Sequence, residues 1–167
     1  MIRSIAWTVV FGIIAAFLQS TLLSRLAIYR AVPDIALVIL VYSAYVNGVM
    51  AGQLSGFFGG IALDFISAAP LGLNAFIRTL AGALTGLLKG MFFLDAFLLP
   101  MILCACATLF KMLIFFLLNL LMPDIIPAYS LVTPLLWVEM AQNAIAAPFL
   151  FAFLKRFRPM LAIRNEI

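Results

Sequence analysis

Long, uninterrupted apolar runs constrain the fold of this sequence more than any other feature. Hydrophobic residues make up 67% of the chain and charged residues 10%, whereas a soluble domain is about half apolar and about a quarter charged. The chain has too few polar residues to cover a surface that faces water, so lipid must be its solvent. The strands of a transmembrane barrel alternate apolar and polar residues, but these runs do not alternate. The sequence therefore predicts an all-α integral membrane protein.

Six apolar segments are candidate membrane spans. A bilayer core of about 30 Å requires about 20 residues of α-helix, and segments near this length recur along the chain. We predict one polytopic membrane domain over residues 1–167, folded as a six-transmembrane-helix bundle. Pro100 is expected to kink the fifth span or to mark its start, and five spans remain if the short second segment is re-entrant. The predicted spans are residues 5–23, 33–47, 49–67, 73–88, 93–121 and 131–154, and a basic cytoplasmic tail follows over residues 155–167.

The basic residues predict the orientation of the bundle. Cytoplasmic loops and termini of membrane proteins carry an excess of Lys and Arg. With six spans and the amino terminus inside, only Arg25 and Arg30 lie on the outer side. We therefore predict a multi-pass protein of the bacterial inner membrane with both termini in the cytoplasm. The basic residues assigned to the cytoplasmic side are Arg3, Lys89, Lys155, Arg156, Arg158 and Arg164.

Glycines recur every four residues in the third and fourth predicted spans. No hydrophobic effect favours helix association in lipid, so close backbone approach through small residues carries much of it. Two interpretations stay open at this point: the glycines pack the third span against the fourth, or they form a groove that receives the helix of a partner protein. They are Gly52, Gly56 and Gly60 in the third span and Gly82 and Gly86 in the fourth.

Two ionisable residues flank the turn between these spans. Charged groups inside a membrane are costly and need a reason. Asp64 lies near the end of the third span and Arg78 near the start of the fourth. Because a short turn joins the spans, they run antiparallel and bring the two side chains to similar depth. We predict an Asp64–Arg78 ion pair with Asn74 nearby; the alternative is that Arg78 extends to the outer membrane interface.

Lys111 and Glu139 form a second candidate ion pair. At a rise of about 1.5 Å per residue, both lie near the middle of the membrane. Gln142 and Asn143 add polar groups about one turn later. A structural pair that holds the bundle together is favoured over a proton or solute pathway.

The sequence contains no recognisable catalytic constellation. It has no histidine, no nucleophile placed beside a base, and no glycine loop that would hold a phosphate. Cys104 and Cys106 are two residues apart, so a helix points them to nearly opposite faces and disfavours a shared metal site or a mutual disulfide. We predict a protein that is not an enzyme, with no catalytic, cofactor or metal site and no nucleic-acid partner.

Three sequence motifs resemble the bacterial rod shape-determining protein MreD family. The first is Val32-Pro33-Asp34, which opens an apolar span. The second is the glycine-rich run from Gly52 to Asp64, and the third is Pro70-Leu71-Gly72-Leu73-Asn74. The region that carries them, from Val32 to Ala75, makes up about a quarter of the chain, and the other spans match the family only in hydropathy and in the basic tail.

The resemblance implies a membrane scaffold in the cell-elongation machinery. Proteins of this family are thought to bind MreC, a protein with one transmembrane helix, and through it to connect MreB filaments with the polymerase RodA and a penicillin-binding transpeptidase. The family is also similar in fold to the substrate-binding (S) components of energy-coupling-factor transporters. A small-solute-binding subunit of such a transporter is the alternative function, because six helices and internal polar groups could also surround a ligand. The residues carried over by motif are Pro33, Asp34, Asp64, Pro70, Gly72 and Asn74.

Overall fold

The computed structural model describes residues 1–21, 31–67, 69–91, 97–126 and 134–163. Within these residues the chain forms seven α-helices and no β-sheet. The protein is therefore all-helical, as its composition predicts. The helices are α1 Ile2–Thr21, α2 Ile35–Asn47, α3 Val49–Ile66, α4 Leu73–Leu87, α5 Leu98–Leu121, α6 Pro134–Arg156 and α7 Arg158–Leu161.

Four of the described helices, α1, α3, α5 and α6, are long and apolar enough to cross a membrane. Helix α2 is equally apolar but has only 13 residues. Helix α4 has 15 residues and carries Arg78. The length and composition of the four long helices are those of an integral membrane protein.

The ends of the helices differ in detail from the predicted spans. Helix α5 begins at Leu98, which places Pro100 in its first turn, where a missing N–H leaves no helical hydrogen bond unmade. Pro33 precedes α2 instead of lying in its first turn. Two predicted starts, 93 and 131, and the predicted end at 23 lie outside the described residues. In the predicted tail, two basic residues complete α6 and the short helix α7 follows.

Helix α2 is the centre of the bundle. Eleven of its 13 residues are buried, and it contacts α1, α3, α4, α5 and α6. A helix that is covered on all sides is apolar around most of its circumference, and α2 accordingly has few polar residues, among them Ser43 and Asn47. Tyr42 packs edge-on against Phe151 of α6, with ring centroids 5.1 Å apart. The burial of α2 brings its first turn, and with it Asp34, into the interior of the protein.

The glycines of α3 and α4 face each other across an antiparallel helix contact. A Cβ atom built on Gly56 would come within 3.0 Å of the backbone of Arg78 and Thr79, and one built on Gly86 would lie 2.6 Å from the backbone nitrogen of Val49. Gly52, Gly60 and Gly82 are equally confined by backbone atoms of the opposite helix. The glycines therefore pack α3 against α4, and a partner helix cannot use them unless these two helices separate.

Candidate functional site

Four charged side chains meet inside the bundle, and we call them the charge cluster: Asp34, Arg78, Lys111 and Glu139. Arg78 Nη2 donates to both carboxylate oxygens of Asp34, at 2.8 and 2.9 Å. Lys111 Nζ lies 2.9 Å from Asp34 Oδ2 and 2.5 Å from Glu139 Oε1. Two acidic and two basic groups sum to a formal charge of zero. Burial of these charges is tolerable because each has an opposite charge within hydrogen-bond distance.

Asp34 occupies the centre of the charge cluster because it also begins a helix. It is the N-cap of α2, and its Oδ1 accepts a hydrogen bond of 3.0 Å from the backbone N–H of Leu37. A carboxylate at this end is further stabilised by the positive end of the helix dipole. Asp34 is only 4% exposed. The sequence feature that starts α2 thus also supplies the anion that binds both cations.

A chain of neutral polar groups extends from the charge cluster into α5 and α6. Asn143 is completely buried, and its Oδ1 accepts a 2.7 Å hydrogen bond from the backbone N–H of Asp34. Its Nδ2 donates to Thr108 Oγ1 at 3.0 Å, and Thr108 in turn donates to the carbonyl of Cys104 at 2.7 Å. The charge cluster and these groups connect the start of α2 with α4, α5 and α6.

The predicted Asp64–Arg78 ion pair is wrong. Arg78 pairs with Asp34, and at 7% exposure it does not extend to the membrane interface either. The carboxylate of Asp64 is satisfied instead by neutral donors at the start of α4. A buried guanidinium needs a full negative charge at its own depth, and the first turn of α2 provides one.

Asp64 holds the turn between α3 and α4. Its two carboxylate oxygens accept hydrogen bonds from the backbone N–H groups of Gly72 and Asn74, both at 2.9 Å, and of Ala75 at 3.2 Å. The side-chain amide of Asn74 adds a fourth bond at 2.9 Å. Gly72 adopts a φ of +91°, a left-handed conformation that favours glycine. The motif residues Asp64, Gly72 and Asn74 therefore form one helix cap.

Pro70 belongs to the same turn. Its carbonyl accepts a hydrogen bond of 3.2 Å from the backbone N–H of Leu73, the first residue of α4. The carbonyl of Gly72 then accepts from Phe76 at 2.8 Å. The Pro70-Leu71-Gly72 motif thus sets the direction in which the chain enters α4.

The predicted ion pair between Lys111 and Glu139 is confirmed, but it is half of a larger arrangement. Lys111 also contacts Asp34. Estimating membrane depth by counting residues along the fifth and sixth spans does not reveal this contact. The available signal was Asp34 itself, an acidic residue next to a short and predominantly apolar span. That signal indicates a helix start inside the protein.

Exchanging the charges of Lys111 and Glu139 is expected to fail as a rescue. Glutamate at position 111 would face the carboxylate of Asp34, where lysine now lies at 2.9 Å. By contrast, Lys111→Met combined with Glu139→Gln removes one charge of each sign and leaves Asp34 paired with Arg78. In thermal unfolding of the detergent-solubilised protein, we expect the neutral double variant to be clearly more stable than the exchanged one. Equal stability of the two would contradict the contact between Lys111 and Asp34.

The charge cluster is accessible from one side of the bundle. A pocket of about 280 Å³ lies between α1 and the end of α3, and Gln19, Ser67, Asp34 and Arg78 line it. Asp34 and Glu139, the two carboxylates of the charge cluster, are paired with basic side chains. These ion pairs connect the start of α2 with α4, α5 and α6. Among the described residues, no group of three His, Cys, Asp or Glu side chains is placed to hold a metal ion.

Comparison with known proteins identifies the family. No curated protein and no solved structure matches the chain significantly. A family model described as the rod shape-determining protein MreD matches residues 1–157. The matched region includes the first turn of α2, the glycine contact of α3 with α4, and all four members of the charge cluster. Because the match extends over nearly all of the 167 residues, the chain belongs to the MreD family of rod shape-determining membrane proteins.

Proposed function

We propose that this protein is a non-enzymatic scaffold of the cell-elongation complex and that it binds the transmembrane helix of MreC. Membership of the MreD family supports a role in rod shape. The observation that carries the binding proposal is an open apolar groove on the outer surface of α3 and α4. Through MreC, the scaffold would connect MreB filaments with RodA and a penicillin-binding transpeptidase.

The groove has a volume of about 600 Å³, and we call it the α3–α4 groove. Its base includes Asp64 and Ala75, each 3% exposed. Its edges are large side chains that project from the bundle, with exposed fractions of 44% for Phe57, 75% for Phe65 and 51% for Phe76. Since association in lipid depends on packing and shape, a depression between aromatic edges suits the side-chain ridge of a crossing helix.

The internal structure of the bundle supports a scaffold. The space beside the five packing glycines is occupied by the contact between α3 and α4, and the positive and negative charges of the charge cluster cancel within the protein. A partner helix would therefore meet a preformed surface, and binding would not have to reorganise the interior. The groove would then fix the orientation of the bound helix. Through this orientation the scaffold would position or activate the peptidoglycan synthases, RodA and the penicillin-binding transpeptidase.

The membrane arrangement that we propose has six crossing segments, both termini in the cytoplasm of a bacterial inner membrane, and an architecture like that of S components. At a rise of about 1.5 Å per residue, α2 is shorter than the bilayer core of about 30 Å. A helix as buried as α2 need not reach both surfaces, because the surrounding helices shield the backbone that precedes it.

Removing the aromatic edges of the α3–α4 groove is expected to weaken binding of MreC. The double variant Phe57→Ala/Phe76→Ala removes two exposed rings without touching the glycine contact or the charge cluster. We expect at least a tenfold loss of MreC recovered by affinity purification in mild detergent, because a factor of ten corresponds to only about 1.4 kcal/mol of binding free energy. The amount of inserted protein should be unchanged.

A matched control is Phe116→Ala/Phe149→Ala, which removes two exposed rings from α5 and α6. Its recovery of MreC should equal that of the unmodified chain. Equal loss in both double variants would remove the assignment to the α3–α4 groove. Recovery of transporter ATPases in place of elongation proteins would overturn the scaffold proposal and favour the small-solute-binding alternative.

A further inference from the structure

A small cavity lies between α1, α2 and α3, directly beside the charge cluster. Its volume is about 20 Å³, which exceeds the roughly 10–15 Å³ that one water molecule needs. Thr8, Gly12, Ser55, Gly59 and Arg78 are among the residues that line it. The two glycines leave this space open, since a Cβ atom built on either would meet nothing within 4 Å.

Two buried polar atoms in the wall of this cavity have no hydrogen-bond partner among the described residues. They are Arg78 Nε and Ser55 Oγ. Arg78 is 7% exposed and Ser55 is 3% exposed, and the Nε and Oγ atoms themselves are inaccessible to bulk solvent. Buried donors and acceptors are nearly always satisfied, because an unsatisfied one carries its full desolvation penalty. The wall of the cavity therefore presents a donor and a hydroxyl that require a ligand.

The charge of the neighbourhood selects a neutral ligand. The charge of Arg78 is already balanced by Asp34, and the charge cluster as a whole sums to zero. An anion beside Arg78 Nε would add an unbalanced buried charge, which is expensive. A cation is repelled by the guanidinium. A small neutral molecule that both donates and accepts hydrogen bonds meets both requirements.

We propose that this cavity is a binding site for one structural water molecule. The water accepts hydrogen bonds from Arg78 Nε–H and from the hydroxyl of Ser55, the two groups of the wall that have no other partner in the described part of the chain. Thr8 donates its hydroxyl proton to the carbonyl of Ser4 at 2.8 Å and shares a 2.7 Å hydrogen bond with Ser43 Oγ. One lone pair of Thr8 Oγ1 remains to accept a proton of the water. Three such contacts are typical of buried water.

The water completes a polar track that runs from one end of the bundle to the charge cluster. At that end, Asn47 Nδ2 donates to the carbonyl of Leu161 at 2.7 Å and to Ser43 Oγ at 3.2 Å. Ser43 contacts Thr8, and the water links Thr8 to Arg78. The segment after α7 is tied to the same residue, since the backbone N–H of Ile163 donates to Asn47 Oδ1 at 2.8 Å. The site therefore couples the carboxyl-terminal segment to the charge cluster through α1.

Gly59→Ala tests whether the cavity holds water. In a helix, alanine is more favourable than glycine, so Gly59→Ala is expected to stabilise the protein if the cavity is dry. If water is bound, the methyl group displaces it and leaves Arg78 Nε without a partner. We expect the thermal midpoint of Gly59→Ala to fall by about 2–4 °C relative to the unmodified protein in the same detergent.

Ala141→Gly at an exposed position of α6 calibrates the intrinsic effect of glycine in a helix of this protein. The proposal would be overturned if the thermal midpoint of Gly59→Ala rose by at least as much as the thermal midpoint of Ala141→Gly fell. Direct observation is the second measurement. A structure of the unmodified protein that resolves other buried waters should show density within hydrogen-bond distance of both Arg78 Nε and Ser55 Oγ, and its absence would also overturn the proposal.

Discussion

Replacing Asp34 by alanine is expected to destabilise the protein by about 3–5 kcal/mol, the usual effect of removing one partner from a buried ion pair. The side chain binds Arg78 and Lys111 and also caps α2. Without it Lys111 keeps Glu139, but Arg78 loses its carboxylate partner inside the bundle. The free energy of unfolding in detergent micelles, compared with that of the unmodified protein, measures the effect.

Two further variants separate the charge effect from the loss of a side chain. Asp124→Ala makes the same chemical change at an exposed position and should leave stability unchanged. Asp34→Ala/Arg78→Ala removes the stranded cation together with its partner, so this double variant should be more stable than Asp34→Ala alone. If the destabilisation of the double variant equals the sum of the destabilisations of Asp34→Ala and Arg78→Ala, the two side chains do not interact. That outcome would contradict the ion pair in the structure.

Much of the fold follows from the sequence because lipid simplifies the problem. Continuous apolar runs can only be helices when no water is present to satisfy the backbone, and the breaks between them contain proline, glycine or charge. The four-residue glycine spacing indicates a close helix contact. Counting residues along the fifth and sixth spans places Lys111 and Glu139 at similar depth in the membrane. These inferences succeed because each depends on positions within one helix or in two helices that follow each other in the chain.

The partner of Arg78 could not be predicted in this way. Estimating membrane depth from residue number assumes that every span starts at a membrane surface, whereas α2 starts inside the bundle at Asp34. Asp64 was the nearer carboxylate along the chain, but the first turn of α4 offers it four hydrogen bonds. Local capping thus satisfied one acidic residue and left Arg78 to a residue 44 positions away. The choice depends on tertiary packing, which hydropathy does not encode.

The same distinction between local and tertiary contacts bears on Gly56. Replacing Gly56 by leucine is expected to separate α3 from α4 and to destabilise the protein by about 3 kcal/mol, at the upper end of the usual range for an overpacked core. Even one Cβ atom there would overlap the backbone of Arg78 and Thr79, and backbone cannot move aside as a flexible side chain can. Thermal unfolding in detergent should show a large fall in the midpoint, and the displaced Arg78 would weaken the charge cluster as well.

Ala152→Leu is the control, because it adds similar bulk at an exposed position of α6. It should leave the thermal midpoint near that of the unmodified protein. The outcome also decides between two roles for the glycines. If Gly56→Leu kept full stability and lost only the proposed association with MreC, the glycines would form a partner site after all. Loss of stability in the isolated protein, before any partner is added, is the result that internal packing requires.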